Sequence, residues 1–466
     1  MKIQNFASLV AAMSVTVAAA PQSYSEWRNP NVNQINRLEQ HADYFAFSNA
    51  DDAKNGDKTL AANYLSIEGQ WKFNWVENAD QRPTTFFQTN FDDSQWGYMP
   101  VPGLWELNGY GDPVYTNVGF PWAPFSGDQA PEVGTVHNHV GSYRRTITIP
   151  DNWTGQNVII HIGSATSNVY LWVNGKFVGY SEDSKVAAEF DITKYLKKGE
   201  NLFAMQIFRW CDGSYLEDQD FWRFAGIARE CYLYSQPKVH ANDVEIVPDL
   251  TDNYTNGALD ITVKTSGSAK VKATLFDNAD NQIFSANLQP KGKNTFALSQ
   301  KCGEVKKWSA EEPNLYSLEI TILDNKNTVL QVIRQNVGFR KIEQKTDLGQ
   351  IWVNGKPVLI KGVDRHELDP DYGYCVPRWR MEQDAKIMKE MNVNAVRTCH
   401  YPDDPYWYEL CDRYGFYMVS EANLESHGLI YTDRCLSHNE TWLQAHLERN
   451  QRAFETYKNH PARTLS

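Results

Sequence analysis

Acidic, amide and imidazole side chains gather in one run, NAVRTCHYPDDPYWYELCDRYGFYMVSEANLESHGL, from Asn394 to Gly428. Arg397 and His400 follow a short apolar stretch, and Glu421, Asn423, Glu425 and His427 follow a second. Just upstream, Gly362-Val363-Asp364-Arg365-His366-Glu367 closes a third in the same way. Charged and imidazole groups collected past the C-terminal ends of successive parallel strands are how a β/α barrel builds an active site. Solvated loop residues are the alternative reading of the same pattern.

The elements that would hold these groups are legible around them. Asp404 suits a helix N-cap, Pro405 the first helical position, and Gly415 a left-handed C-terminal residue. Between them Trp407, Leu410, Cys411 and Tyr414 recur at helical spacing. Ala395-Val396 and Phe416-Tyr417-Met418-Val419 read as the flanking strands. An earlier hairpin, Ile351-Trp352-Val353 and Pro357-Val358-Leu359-Ile360 about Asn354-Gly355, leads into a helix with Met381, Ala385, Met388 and Met391 on one face. A last helix would place Leu443, Leu447, Phe454 and Tyr457 on one face, completing three β/α units before Asn459-His460-Pro461 and the final residues.

Upstream the period changes. From about residue 40 to 235 the chain is a series of short strands and turns, with an Asn174-Gly175 hairpin signal between Tyr170–Val173 and Lys176–Tyr180. A jelly-roll β-sandwich is the expected architecture. Two polar clusters stand out in it: Tyr115-Thr116-Asn117-Val118, and the run from Cys211 to Arg223, whose Asp212, Glu217, Asp218 and Asp220 lie among aromatics. The second reads either as a solvated loop or as a cation or sugar-hydroxyl site. From Pro237 to Gly338, alternation such as Leu259, Ile261, Val263 and Val271, Ala273, Leu275 predicts an immunoglobulin-like β-sandwich serving as a spacer. The expected fold class is therefore multidomain: a signal peptide over 1–20, a jelly-roll β-sandwich over 21–236, an immunoglobulin-like β-sandwich over 237–338, and the N-terminal part of a (β/α)8 TIM barrel over 339–466.

Composition narrows the partners. The 466 residues hold 45 basic and 57 acidic side chains, a net charge of −12. This argues against nucleic acid or an anionic membrane and agrees with a neutral substrate. Fifteen Trp and 24 Tyr suit sugar stacking as well as core packing. Seven Cys show no CxxC or metal-like spacing and read as reduced. Lys2, the apolar run from Leu9 to Ala20 and Val17-Ala18-Ala19-Ala20 predict a cleaved export signal, hence a periplasmic or secreted protein.

These runs resemble the β-galactosidases of glycoside hydrolase family 2, over nearly all of the chain after the leader, from Trp27-Arg28-Asn29-Pro30 to Pro461. The resemblance rests on Tyr115–Val118, Asp212–Trp222, Trp308–Tyr316, Arg365-His366-Glu367, Asn394–Arg397, His400-Tyr401-Pro402 and Glu421–Gly428. The last segment separates the chain from β-glucuronidases, which it resembles around His400-Tyr401-Pro402 and Cys411–Gly415. The resemblance implies that Asn117 and Asp220 reach the barrel mouth and hold galactose hydroxyls, and that Asp220 also ligates Na⁺. It implies that His366 and His400 contact the sugar, that Arg397 is a buried positioning group, and that Glu425 and His427 ligate Mg²⁺. The implied substrate is a β-galactoside, lactose or a glycan, with a homo-oligomer as an allowed assembly. One departure is Leu368, where many relatives carry a second His after His-Glu.

A larger departure concerns catalysis. Retaining glycosidases set two carboxylates about 5 Å apart across the scissile bond. In this family one belongs to a Gly-Asn-Glu after the Asn-His-Pro and the other lies further on; the 466 residues contain no Gly-Asn-Glu. Glu421 and Glu425 lie on one segment and would not flank a bond from opposite sides. The expectation is thus a truncated, inactive β-galactosidase. A non-catalytic galactoside-binding remnant, or a half-enzyme needing a separate barrel remainder, are the other readings.

Overall fold

The computed structural model describes residues 24–465, so the expected signal peptide over 1–20 lies outside the described residues. A seven-stranded antiparallel sheet runs in the order 34–35, 176–181, 169–173, 199–208, 140–149, 69–76 and 97–101. It faces a four-stranded sheet of 188–191, 157–162, 231–236 and 64–66. Between them lie Trp71, Tyr143, Leu171, Phe190, Phe203 and Met205. The hairpin turn forms at Asn174 and Gly175, whose φ angles of 50° and 78° are those of a type I′ turn. Strand Val169–Val173 is buried at every position rather than alternately. Its other face, with Tyr170 and Trp172, packs on Trp27 and Phe208 in a cluster that extends to Leu429, Leu436 and Trp442 of the third domain.

The middle domain is a second sandwich. One sheet joins 241–251, 256–265, 295–304 and 289–292; the other joins 46–47, 329–337, 316–323, 270–276 and 282–287. Leu259, Ile261, Val263, Val271, Ala273 and Leu275 all point into its core, as their alternation predicts. The strand Ala46–Phe47 comes from between the first two strands of the jelly roll in chain order, 34–35 and 64–66, and pairs with Ile333 and Val332.

The third domain is an open arc of parallel strands: β1 (Gly362–Arg365), β2 (Ala395–Thr398), β3 (Tyr417–Val419) and β4 (Arg463–Leu465). Helices α1 (Arg378–Glu390), α2 (Pro405–Tyr414) and α3 (Leu443–Tyr457) alternate with them. The strand β4 is a fourth beyond the three β/α units expected. Helix α2 is capped as its residues predict: the Asp404 carboxylate accepts the Tyr406 N–H at 2.9 Å, and Gly415 closes the helix at φ 73°.

Two helix faces differ from expectation. Met391 lies past the end of α1 and is 74% exposed. In α3, Leu443, Leu447 and Phe454 face outward, while Ala445, Arg449, Arg452, Ala453, Thr456 and Tyr457 face inward. The reason is ionic. The inward face meets acidic groups of the jelly roll, where Arg449 Nη1 donates to Glu217 Oε1 at 2.6 Å and Arg452 stands 3.5 Å from Asp183. Buried carboxylates require such partners, and this requirement overrides apolar periodicity.

Gly415 supplies a stability test. A Cβ there would stand 2.6 Å from the Ala310 carbonyl oxygen, at a φ that L-residues rarely adopt. Gly415→Ala should cost about 1–3 kcal/mol through this strain, read as a lower urea-unfolding midpoint; an unchanged midpoint would contradict the packing.

Candidate active site

The ends of β1, β2 and β3 converge on one mouth. After β2, His400 Nδ1–H donates to Glu421 Oε2 at 2.7 Å, and Arg397 Nε–H donates to Glu421 Oε1 at 2.6 Å. Arg397 Nη1 also reaches Asp364 Oδ2 at 3.3 Å. Thr398 Oγ1 accepts the Glu421 backbone N–H at 3.0 Å, fixing the start of the segment that follows β3. One carboxylate therefore grips two cationic groups. Its hydrogen bond raises the His400 imidazole above its ordinary pKa. Burial opposes ionisation of Glu421, but the hydrogen bonds from His400 and Arg397 outweigh it and hold the carboxyl below its usual range. Arg397 is not the buried group expected: its side chain is 39% exposed, because its partners lie along the rim rather than around it. His366 is exposed beside His400, with ring centroids 5.8 Å apart.

The jelly roll enters this mouth directly. Glu217–Asp218 forms a two-residue parallel ladder with Glu425–Ser426. Glu217 is held by the Ser184 N–H at 3.1 Å, the Ser184 hydroxyl and Arg449. Asp218 accepts from Arg223 Nη2 at 2.7 Å and from the Gly428 N–H at 2.9 Å, while burial pushes its carboxyl up to about 6. Gln219 Nε2 donates to Asn423 Oδ1 at 3.2 Å, and Asn423 Nδ2 donates to Asp183 Oδ1 at 3.2 Å. The acidic run is thus buried structure up to Asp218, not a solvated loop.

Only at Asp220 does this run reach the open mouth, where its carboxylate accepts the Tyr115 hydroxyl and its charge acts on His366. Strand Val114–Thr116 pairs with Phe221–Arg223, so exposed Asn117 stands at the ladder end next to Asp220. The structure brings Asp220, His366, Arg397 and His400 to one mouth and places Asn117 at its jelly-roll rim.

Two donor sets could hold a hard cation. Glu425 and His427 lie side by side, with His427 Nδ1 3.7 Å from Glu425 Oε1 and buried without a hydrogen-bond partner. In the second set Cys211 and Asp212, part of the run read from sequence as a possible cation site, meet Glu182, which that reading missed, in the jelly-roll interior. Tyr180 O–H satisfies Glu182 Oε1 at 2.6 Å, yet Glu182 Oε2 and both Asp212 oxygens have no partner. Burial and the neighbouring charge of Asp212 raise Glu182, and burial raises Asp212 to about 7. Such a pair shares a proton or takes a cation. Its sequence signal was an acidic Glu182-Asp183 pair ending the otherwise apolar strand Lys176–Ser181.

A sugar-binding β-sandwich whose loop is hydrogen-bonded into the mouth of a β/α barrel is the arrangement of a glycoside hydrolase. Three family models match in succession: the sugar binding domain of glycosyl hydrolases family 2 at residues 64–237, glycosyl hydrolases family 2 at 239–340, and its TIM barrel domain at 344–465. The chain belongs to glycosyl hydrolases family 2. It is 39% identical to a β-galactosidase of Priestia megaterium over 95% of this chain and 45% of that one. A Vibrio vulnificus β-galactosidase is 39% identical over 94% of this chain and 42% of its own length. The chain thus spans less than half the length of these relatives. In fold it is similar to a β-glycosidase from Bacteroides vulgatus (TM-score 0.67, 23% identity, 86% of this chain, 49% of that one). It is also similar to a β-glucuronidase from Ruminococcus gnavus (TM-score 0.71, 19% identity, 86% and 66%).

The Glu421 grip has a measurable consequence. The part of the His400–Glu421 pairing that comes from a raised His400 pKa is fully present below the unfolded value of about 6.5. It is lost as pH rises through the higher folded value. Glu421→Gln should therefore lower the His400 titration midpoint followed by NMR; an unmoved midpoint would contradict the pairing.

Proposed function

We propose that this chain supplies the sugar-facing part of a retaining β-galactosidase that hydrolyses terminal β-D-galactosides. The observation that supports it best is the ladder between Glu217–Asp218 and Glu425–Ser426, with Asp220 two residues past it and its charge acting on His366. Paired hydrogen bonds from fixed Asp, Asn and His groups are how a site selects a sugar by its hydroxyls. Charge supports a neutral sugar over a uronic acid: Arg397 already faces Glu421 and Asp364. In this reading Asp220 and Asn117 hold galactose hydroxyls, His366 and His400 contact the ring, and Arg397 positions Glu421 and His400.

Metal ions belong to the chemistry of this family. Glu425 and His427 would hold Mg²⁺, with the carboxylate as the stronger ligand because hard cations prefer oxygen. The unpartnered Nδ1 of His427 suits that role. Asp220 would hold Na⁺ with the oxygen not engaged by Tyr115. When bound, Mg²⁺ would supply positive charge that orders nearby carboxylates and water. A leader at residues 1–20 would place the protein in the periplasm or outside the cell, and self-association into a homo-oligomer fits the same reading.

Catalysis needs two carboxylates facing each other across the bond. Glu421 is committed to His400 and Arg397, and Glu425 lies on the same segment beside His427. The 466 residues by themselves should bind galactosides without turning them over.

Calorimetric titration with galactose should show binding that Asp220→Asn weakens by about 10- to 100-fold, the loss of one or two hydrogen bonds to a charged group; no binding by the unaltered chain would overturn the sugar site. A nitrophenyl β-galactoside should give no sustained release, and sustained turnover lost on Glu425→Gln would contradict the missing carboxylate pair. Mg²⁺ affinity should fall further with Glu425→Gln than with His427→Gln, and equal losses would contradict the oxygen-led site.

A further inference from the structure

A crevice of about 640 Å³ opens where the three domains meet, bounded by the four-stranded sheet of the jelly roll, the middle sandwich and α3. The segment 37–47 crosses it as an arm. Its Leu38 N–H donates to the Glu189 carbonyl at 2.9 Å, Ala42 N–H to Asp243 Oδ1 at 3.2 Å, and Asp43 N–H to the Thr456 carbonyl at 2.8 Å. These three bonds tie it to the jelly roll, the middle sandwich and α3 in turn.

His41 lies among these ties. Its Nδ1 stands 2.7 Å from the Ala42 carbonyl oxygen and its Nε2 3.2 Å from Glu189 Oε2. Both partners can only accept. A neutral imidazole has a single N–H, so one of the two contacts would set a lone pair against an oxygen; only the imidazolium satisfies both. Glu189 in turn accepts from His161 Nδ1–H at 2.8 Å and from the Tyr234 hydroxyl at 2.9 Å. Burial opposes charge on His41, but Glu189 and the Ala42 carbonyl outweigh it and raise the imidazole to about 9. Burial opposes charge on Glu189 as well, yet the hydrogen bonds from His161 and His41 hold its carboxyl far below the usual range.

The remaining charged groups at the junction are engaged elsewhere. From the middle sandwich, Asp243 is taken by Lys458 at 2.7 Å and Lys264 at 3.5 Å. On α3, Glu448 meets Arg452 at 2.8 Å and Glu455 meets Lys458 at 2.6 Å. On the jelly-roll sheet, Asp191 accepts the Thr193 N–H at 2.9 Å. On the arm itself, beside Glu39 and Asp43, Arg37 donates to Ser181 Oγ at 3.0 Å and to the Ala187 carbonyl at 2.8 Å, and a guanidinium keeps its charge throughout. Burial lifts the Tyr44, Tyr232 and Tyr234 hydroxyls well above their ordinary value and holds the His240 imidazole below its own. We propose that His41 is a proton-controlled clip, which as an imidazolium fastens the arm across the three domains and on losing its proton to the solvent of the crevice releases it. The sign follows from the raised folded value: the clip is fully closed below the unfolded value of about 6.5 and opens as pH rises through about 9.

The test is amide hydrogen exchange of the full chain between about pH 7 and pH 10, corrected for the intrinsic rise in rate, beside an NMR titration of His41. Protection of the Ala42 and Asp43 amides should fall at least tenfold with the midpoint of His41, while the Tyr406 amide at the start of α2 keeps its protection. In His41→Gln the two arm amides should be poorly protected at every pH, and in His161→Gln the alkaline loss should persist. A His41 midpoint at or below neutrality, or arm protection unchanged through that midpoint, would overturn the proposal. So would an alkaline loss that survives His41→Gln and vanishes in His161→Gln. If either variant disturbs folding by circular dichroism, the unaltered chain decides, since the midpoint and the protection are both measured on it.

Discussion

Glu217 is the residue on which the assembly of this molecule turns. Its backbone joins the ladder to Glu425–Ser426, and its carboxylate receives Arg449 from α3 and the Ser184 N–H from the jelly roll. A carboxylate so enclosed is costly to desolvate, and removing one partner would leave the rest uncompensated. Such a network adds little net stability compared with apolar packing, but it admits one geometry. Asp183 strengthens this by meeting Arg449 at 3.7 Å, Arg452 at 3.5 Å and Asn423 at 3.2 Å. Two domains are thereby registered to each other through charged groups, and the mouth inherits that registration.

Within the mouth, the arrangement balances charge before any ligand arrives. Glu421 sits between Arg397 and His400, and Asp364 takes a second face of the guanidinium. A ligand then meets cationic groups that are already paired, while Asp220, held by the Tyr115 hydroxyl, remains an acceptor facing the mouth. The aromatic wall completes this. Phe221 contacts Tyr374 and Tyr401, and buried Lys185 lies 3.5 Å from the Tyr374 ring centroid. That lysine's charge is spent on aromatic faces rather than on the open mouth.

Much of this could be read from local patterns. Asp404, Pro405 and Gly415 bounded α2, the two Asn-Gly pairs marked hairpins, and alternation around Leu259 to Val263 marked a sandwich, because each signal depends on a few neighbouring residues. The mouth residues were found because they follow short apolar strands. What could not be read depended on distant partners. Leu443, Leu447 and Phe454 looked like the inner face of α3, yet Arg449 and Arg452 took that face because Glu217 and Asp183 lie opposite. Arg397 was expected to be enclosed and instead lies at the rim. Asp212 was read with its own loop, but its pairing with Glu182 was not, because no local pattern says that two acids 30 positions apart share one interior. The likeness to family members carried residue roles that spacing alone would not supply.

The short strand Ala46–Phe47 has a temporal side. It is synthesised ahead of most of the jelly roll, but the residues it pairs with, Val332 and Ile333, follow almost three hundred positions later. The same arm is fastened further on, where the Asp43 N–H donates to the Thr456 carbonyl at 2.8 Å. A contact of such long span closes late, since the loop entropy must be overcome first. On the ribosome the arm therefore emerges early and docks among the last, so the middle sandwich keeps one sheet edge uncovered until translation has passed into the barrel.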